Sequence, residues 1–125
     1  MASPQRVLVT GGNSGIGLAL CRQLATEHGC HVLMGSRDTA RGEAAVASLV
    51  TIDVSDDASV AAAAAHVDAS LGRLDGGEGG GRLHALVNNA GIGLSASATP
   101  EQVMATNLHG TRHVTDVVSR FIAMH

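Results

Sequence analysis

An apolar strand that leads directly into spaced glycines constrains this chain more than any other feature. The stretch VLVTGGNSGIG, residues 7–17, contains Gly11, Gly15 and Gly17 at a strand-to-helix turn. Such a turn can hold a pyrophosphate on the free N–H groups and positive end of the helix. Glycine permits both the tight turn and the close approach of a nucleotide. The pattern alone also fits a turn with only a structural role, since glycines are common in loops.

Short apolar runs alternate with helical patterns along the chain, which indicates βαβ units and a parallel sheet. The runs are nearly continuous in apolar residues, as in strands covered on both faces. We therefore predict a single α/β domain of 125 residues, a Rossmann-like doubly wound parallel sheet that stops after about four βα units. The predicted strands are Arg6–Thr10, His31–Gly35, Val50–Asp53 and His84–Asn88.

Helical patterns and their end signals fill the segments between the strands. The third helix has Ser55 as its expected N-cap and Gly72 as its stop, and Thr99 opens the fourth with a capping box. The second leaves almost no loop before the next strand, so we expect it to be short or frayed. The predicted helices cover residues 15–28, about 39–48, 56–71 and 100 to about 122.

A glycine-rich segment, GRLDGGEGGGR at residues 72–82, interrupts the α/β pattern. We interpret it as a flexible, solvated insertion, with a functional glycine loop as the alternative.

The composition excludes several classes of function. The net charge is −3 and the basic residues are scattered, so no positive electrostatic field that would attract nucleic acid or an anionic membrane is expected. Cys21 and Cys30 form no C-x-x-C pair, and His109 and His113 are expected to be an exposed pair on a helix, so no metal site is predicted. With no signal peptide or membrane-spanning run, we expect a cytoplasmic protein.

The end of the second strand carries a signal about the nucleotide. In a dinucleotide fold this point meets the adenosine ribose, where a carboxylate would bind a 2′-hydroxyl. Here Ser36 and Arg37 stand in its place and can bind a 2′-phosphate, which points to NADP. An ordinary solvated Arg37 is the alternative, and the neighbouring Asp38 argues mildly against the phosphate site.

Polar or small residues also follow the other strands, with Asp53-Val54 after the third and Asn88-Asn89-Ala90-Gly91 after the fourth. An open α/β sheet binds its ligand at this carboxyl edge. With these motifs in this order, the chain resembles the short-chain dehydrogenase/reductase family over essentially its whole length. Two segments, SRDTARGEAAVASL and MATNLHGTRHV, are similar to those of the NADPH-dependent carbonyl reductases in that family.

The resemblance implies a role for each matching position. The glycine turn would hold the pyrophosphate, Ser36 and Arg37 the 2′-phosphate, and Asp53 and Val54 would flank adenine. The Asn88-Asn89-Ala90-Gly91 motif would line the path of the ribose and nicotinamide. The implied cofactor residues are Gly11, Asn13, Ser14, Gly15, Ile16, Gly17, Ser36, Arg37, Asp53, Val54, Asn88, Ala90 and Gly91.

Asn107 is a polar residue on a helical face where Val103 and Thr111 suggest an apolar or small stripe. By the resemblance it belongs to a catalytic group with Ser, Tyr and Lys, in which it holds a water of the proton relay. The residues alone leave open a buried Asn that bonds its own helix or a neighbouring loop.

The family's fifth strand with its Ser and the helix with Tyr-x-x-x-Lys have no counterpart here, and the chain contains no Tyr and no Lys. We expect the N-terminal part of an NADP-dependent oxidoreductase that reduces small carbonyl compounds, inactive by itself. The alternatives are a non-catalytic nucleotide-binding or interaction module, and a half-enzyme completed by another chain.

The predicted strand order, 3-2-1-4-5-6, would leave the fourth strand at an edge of this chain's sheet. We therefore expect self-association through the fourth strand and fourth helix, with Val114, Val118 and Phe121 exposed.

Overall fold

The computed structural model describes residues 4–12, 15–37, 47–74, 81–93 and 97–122. Four strands and four α-helices lie along these segments, and the C-terminal helix changes its winding three times, from α to π, back to α and then to 3₁₀. The strands are β1 (Arg6–Thr10), β2 (His31–Ser36), β3 (Ala47–Thr51) and β4 (Ala85–Val87). The helices are α1 (Gly15–His28), α2 (Asp57–Leu74), α3 (Pro100–Met104) and α4 (Thr111–Val118).

The strands form one parallel sheet in the order β3-β2-β1-β4. Leu8 of β1 lies opposite Leu33 on one side and Leu86 on the other. The chain moves outward from β1 to β3 and then crosses to the opposite side of β1. The predicted Rossmann-like topology is therefore confirmed, and its switch point lies where the loops after β1 and β4 are neighbours.

Both faces of the sheet are covered, which explains why the strands lack polar alternation. Val7 and Val9 pack with Cys21 of α1 on one face. Leu8 packs on the other face in a larger cluster that includes Val67 of α2 and Val114 of α4. Neighbouring residues of β1 thus point into different halves of the core.

The third strand begins earlier than the sequence indicates. Val50 pairs with Gly35, and Ala47 pairs with Val32, so Ala47 and Ser48 belong to β3 and not to the end of the predicted second helix. The rest of that helix, residues 39–46, lies outside the described residues. Asp53, predicted as the last strand residue, follows β3 in the loop.

The predicted ends of the third helix are both wrong. Its N-cap is Asp56, whose carboxylate accepts from the N–H groups of Ala58 and Ser59 at 2.9 and 3.3 Å. Ser55 instead donates its hydroxyl hydrogen to Asp53. The helix also passes through Gly72 to Leu74, and a Cβ at Gly72 would meet no neighbour within 4 Å.

The predicted flexible insertion at 72–82 is wrong at its two ends. Residues 72–74 form the end of α2, and residues 75–80 lie outside the described residues. Gly81 is buried, and a Cβ there would lie 2.6 Å from the backbone of Leu71.

The C-terminal helix begins as predicted, with a capping box between Thr99 and Gln102. After α3 it widens into a π-helical segment, Ala105–Gly110, which the sequence did not indicate. It then continues as α4 and a short 3₁₀ turn, Ser119–Phe121. Within the described residues, no helix combines the length and apolarity needed to cross a bilayer.

The expected exposure of the fourth helix is wrong. Val114, Val118 and Phe121 are buried, at 0, 2 and 9% exposure, because α4 packs into the core cluster together with α2. Residues 121–122, after α4, pair with the segment just before β4. The N–H of Leu83 donates to the carbonyl of Phe121 at 2.8 Å, and Leu83 pairs in parallel with Ile122.

Candidate functional site

The turn between β1 and α1 requires its glycines for two different reasons. Gly11 and Gly15 have φ angles of 65 and 55°, in the left-handed region that favours glycine. A Cβ on Gly17 would overlap the carbonyl oxygen of Gly11. The turn therefore brings backbone close to backbone at the start of α1, where N–H groups have no helical partner. Asn13 and Ser14 lie outside the described residues.

A brace at the switch point joins this turn to the loop after β4. The buried Thr10 hydroxyl oxygen accepts from the N–H groups of Asn89 and Ala90, both at 3.1 Å. The side-chain amide of Asn89 donates to the carbonyl of Gly11 at 3.0 Å. Neither side chain was predicted from the sequence to act on its own. A polar residue at the end of an otherwise apolar strand is the signal that could have identified Thr10.

The two residues predicted for a 2′-phosphate lie in different environments. Ser36 is the last residue of β2 and is 3% exposed, and its carbonyl accepts from the N–H of Ile52 at 2.9 Å. Arg37 follows the strand, is exposed, and lines a cleft at the carboxyl edge. Arg37 is therefore the more accessible of the two to a bound anion.

Asp53 is held in its ionised form after β3. The Ser55 hydroxyl donates to its carboxylate at 2.6 Å, and the Ser55 N–H donates to the same oxygen at 3.0 Å. These bonds, the hydroxyl first, and the charge of Arg37 lower the pKa of Asp53 although partial burial acts against them. The next residue, Val54, is buried, with its carbonyl against Gly110.

The motif after β4 faces the C-terminal helix. The side-chain amide of Asn88 donates to the hydroxyl of Thr115 at 3.0 Å. Ala90 lies against Gly11, because a Cβ added to Gly11 would lie 3.0 Å from the Ala90 Cα. Gly91 lies beside Asn107, whose side-chain oxygen would be 3.3 Å from a Cβ at position 91.

Asn107 binds the backbone of the loop after β4 with both ends of its amide. Its oxygen accepts from the N–H of Ile92 at 2.8 Å, and its nitrogen donates to the carbonyl of Ile92 at 2.7 Å. The bond to a neighbouring loop is therefore present, although Asn107 is exposed and not buried. Across the carboxyl edge, Ile16 at the start of α1 is 83% exposed.

A cleft of about 610 Å³ opens at the carboxyl edge. Its volume lies within the range of roughly 300–1,000 Å³ common for ligand sites. A cation, hydroxyl groups and small residues converge there from four segments, and the cation and hydroxyl groups suit an anionic ligand. Its lining includes Arg37, Ser55, Ile92, Gly93, Ala105 and Thr106.

Several characterised proteins are similar to this chain in sequence. (+)-Neomenthol dehydrogenase of Arabidopsis thaliana is 40% identical over 104 residues, which cover 73% of this chain and 32% of that protein. Carbonyl reductase (NADPH) 1 of Homo sapiens is 38% identical over 122 residues, which cover 86% of this chain and 41% of that protein. The chain therefore spans between 32 and 41% of the length of these two relatives.

Solved structures share the fold. A metagenomic short-chain oxidoreductase in complex with NADP aligns with a TM-score of 0.75 and 27% identity, over 94% of this chain and 55% of that chain. The aldohexose dehydrogenase of Thermoplasma acidophilum, in ligand-free form, aligns with a TM-score of 0.74 and 26% identity, over 95% and 44%. The sequence profile described as short chain dehydrogenase matches residues 5–125, so the chain belongs to the short-chain dehydrogenase family.

Proposed function

We propose that this chain is the nucleotide-binding part of an NADP-dependent oxidoreductase that reduces small carbonyl compounds. The observation that carries the proposal is that the glycine turn after β1 lies at the same carboxyl edge as the exposed Arg37, which lines a cleft of about 610 Å³. The names of the carbonyl reductase relatives and the NADP-bound neighbour support the choice of NADP.

Different residues of the carboxyl edge would contact different parts of the nucleotide. Gly11, Gly15 and Gly17 fit a pyrophosphate because Gly11 and Gly15 have positive φ angles and a Cβ at Gly11 or Gly17 would meet backbone, which leaves the start of α1 open to a ligand. Arg37 would bind the 2′-phosphate by a charge-assisted contact. Asp53 and Val54 would flank the adenine.

The far end of the site would hold the ribose and nicotinamide. Asn88, Ala90 and Gly91 would line this path, held in place by the Thr10 brace. Asn107 would fix the loop at Ile92 beside the reacting end. The bound cofactor supplies the hydride, and the protein must supply a proton to the oxygen of the reduced carbonyl.

We infer that these 125 residues do not reduce carbonyl compounds by themselves. A phenol with a lowered pKa beside a Lys ammonium can donate the required proton, and the sequence has no Tyr and no Lys. NADPH oxidation with aldehydes and ketones should equal the uncatalysed background. Turnover above background that is lost in Asn107→Ala would contradict this inference.

Binding tests the choice of nucleotide. A charge-assisted contact to phosphate contributes about 1.5–3 kcal/mol, so Arg37→Ala should weaken NADP binding about ten- to a hundred-fold and leave NAD binding nearly unchanged. Titration calorimetry measures both, and Arg22→Ala, an exposed Arg on α1, is the matched control. Equal losses for NADP and NAD would show that Arg37 does not contact a 2′-phosphate.

We also propose that the chain self-associates through β4 and the C-terminal helix. Among the described residues, Ala85–Val87 pair with β1 on one side, while on the other side only Leu83 finds a partner. Unpaired strand edges favour pairing with another copy. On the helix, Met104 and Leu108 are 48 and 51% exposed and four residues apart, so they offer an apolar contact.

A further inference from the structure

The π-helical segment Ala105–Gly110 contacts two separate loops of the carboxyl edge. Helices seldom widen in this way, and where they do the widening is frequently at a functional site. One contact is the pair of hydrogen bonds from Asn107 to the backbone of Ile92, at 2.8 and 2.7 Å. The other contact is at Gly110, on the loop after β3.

Gly110 is buried where the helix meets the backbone of Val54. A Cβ at this position would lie 2.5 Å from the Val54 carbonyl oxygen and 2.9 Å from its carbon. Real Cβ atoms do not come so close, and a carbonyl fixed in a loop cannot turn aside as a flexible side chain can. Any side chain at position 110 must therefore move the helix or the loop after β3.

Both loops line the same cleft. Ser55, the residue after Val54, stands on one wall, and Ile92 and Gly93 stand on another. Ala105 and Thr106, the first two residues of the π segment, line the cleft between them. One element of six residues thus contributes to the wall and contacts both loops that complete it.

We propose that the π segment sets the width of the cleft, with Gly110 as a positioning residue for Val54 and Ser55 and Asn107 as the matching clamp on Ile92. The loops at the adenine and nicotinamide ends are then coupled through a single element. Only the identity of the ligand rests on the proposed nucleotide function, because the coupling is a property of the chain alone.

Amide NMR spectra without ligand test the coupling. Gly110→Ala should shift the amide signals of both Ser55 and Ile92, and should speed hydrogen exchange at the Ile92 amide about ten-fold, as loss of about 1.4 kcal/mol of local stability would. Gly72→Ala is the matched control, since a Cβ at that helical glycine meets nothing within 4 Å. It should leave both signals unchanged.

Asn107→Ala keeps Gly110 and removes only the clamp, so it tests the same coupling if Gly110→Ala does not fold. It should disturb Ser55 as well as Ile92. Changes confined to residues 91–93 in Asn107→Ala, or an unmoved Ile92 in a folded Gly110→Ala, would overturn the proposal.

A binding measurement then tests the consequence for a ligand. With 2′,5′-ADP as the probe, Gly110→Ala should weaken binding about ten-fold or more, the equivalent of 1.4 kcal/mol, whereas Gly72→Ala should not. Unchanged affinity in Gly110→Ala would contradict the role of cleft width. If the unsubstituted chain does not bind 2′,5′-ADP, the proposed function fails, and the NMR spectra still decide on the coupling.

Discussion

At the scale of single residues, the Thr10 hydroxyl joins the two loops of the switch point. It is 1% exposed and accepts two backbone N–H groups from the loop after β4. An isosteric Val would keep the volume and leave those donors without their acceptor.

Thr10→Val should therefore lower the free energy of unfolding by about 1–3 kcal/mol, measured by urea denaturation. Thr51→Val, at the exposed end of β3, is the matched control and should change it by less than about 0.5 kcal/mol. A Thr10→Val variant as stable as its control would show that solvent replaces the hydroxyl and that the brace contributes nothing.

The residues differ in how far the sequence predicts them. Gly11 and Gly15 were predictable because their positive φ angles, which favour glycine, are a property of the local backbone and need no distant contact. The need for glycine at 110 comes from the Val54 carbonyl, which is 56 positions earlier in the chain, and from the Ala105 carbonyl within the π-helical segment, and neither leaves a local sequence pattern. Burial of Ser36 likewise depends on neighbours that only the assembled sheet provides.

At the scale of elements, the type of the four strands and of the first, third and fourth predicted helices followed from the sequence pattern, whereas several ends did not. Ser55 and Asp56 are both good N-cap residues by type, and the choice between them depends on Asp53, which engages the Ser55 hydroxyl. At β3, pairing with β2 extends the strand back to Ala47 across residues with little strand preference. The π segment contacts two distant loops, which no local pattern encodes.

The N-cap assignment makes a prediction of its own. Asp56→Ala should destabilise the chain by about 0.5–2 kcal/mol, because two N–H groups of the first turn of α2 lose their acceptor. Asp68→Ala, on an exposed face of the same helix, is the control for the loss of a carboxylate. Equal effects of the two substitutions on the urea midpoint would argue against Asp56 as the cap.

At the scale of the whole molecule, the parallel order of the sheet brings polar residues from three loops to one edge. The sequence could predict this convergence because the carboxyl ends of parallel strands always meet. The sequence did not predict the burial of Val118 and Phe121, because it depends on how α4 packs onto the larger core cluster in the folded chain.

The proposed self-association belongs to this scale. Light scattering over a concentration series should show growth in mean mass, and Leu108→Glu should reduce it by placing a charge in the exposed apolar pair. Leu86 is unsuitable for this test because it packs against the core. A monodisperse monomer at high concentration, unaltered by Leu108→Glu, would contradict the proposal.

The most direct test of the account is an amide NMR titration of the chain with NADPH, because it locates the binding edge without requiring catalysis. We expect shifts at the carboxyl edge, at Gly11, Gly17 and Ile92, with Gln5 and His31 at the opposite ends of the strands unchanged. Shifts concentrated at the opposite edge, or no shifts at millimolar NADPH in a folded chain, would contradict the claim that the carboxyl edge is a dinucleotide site.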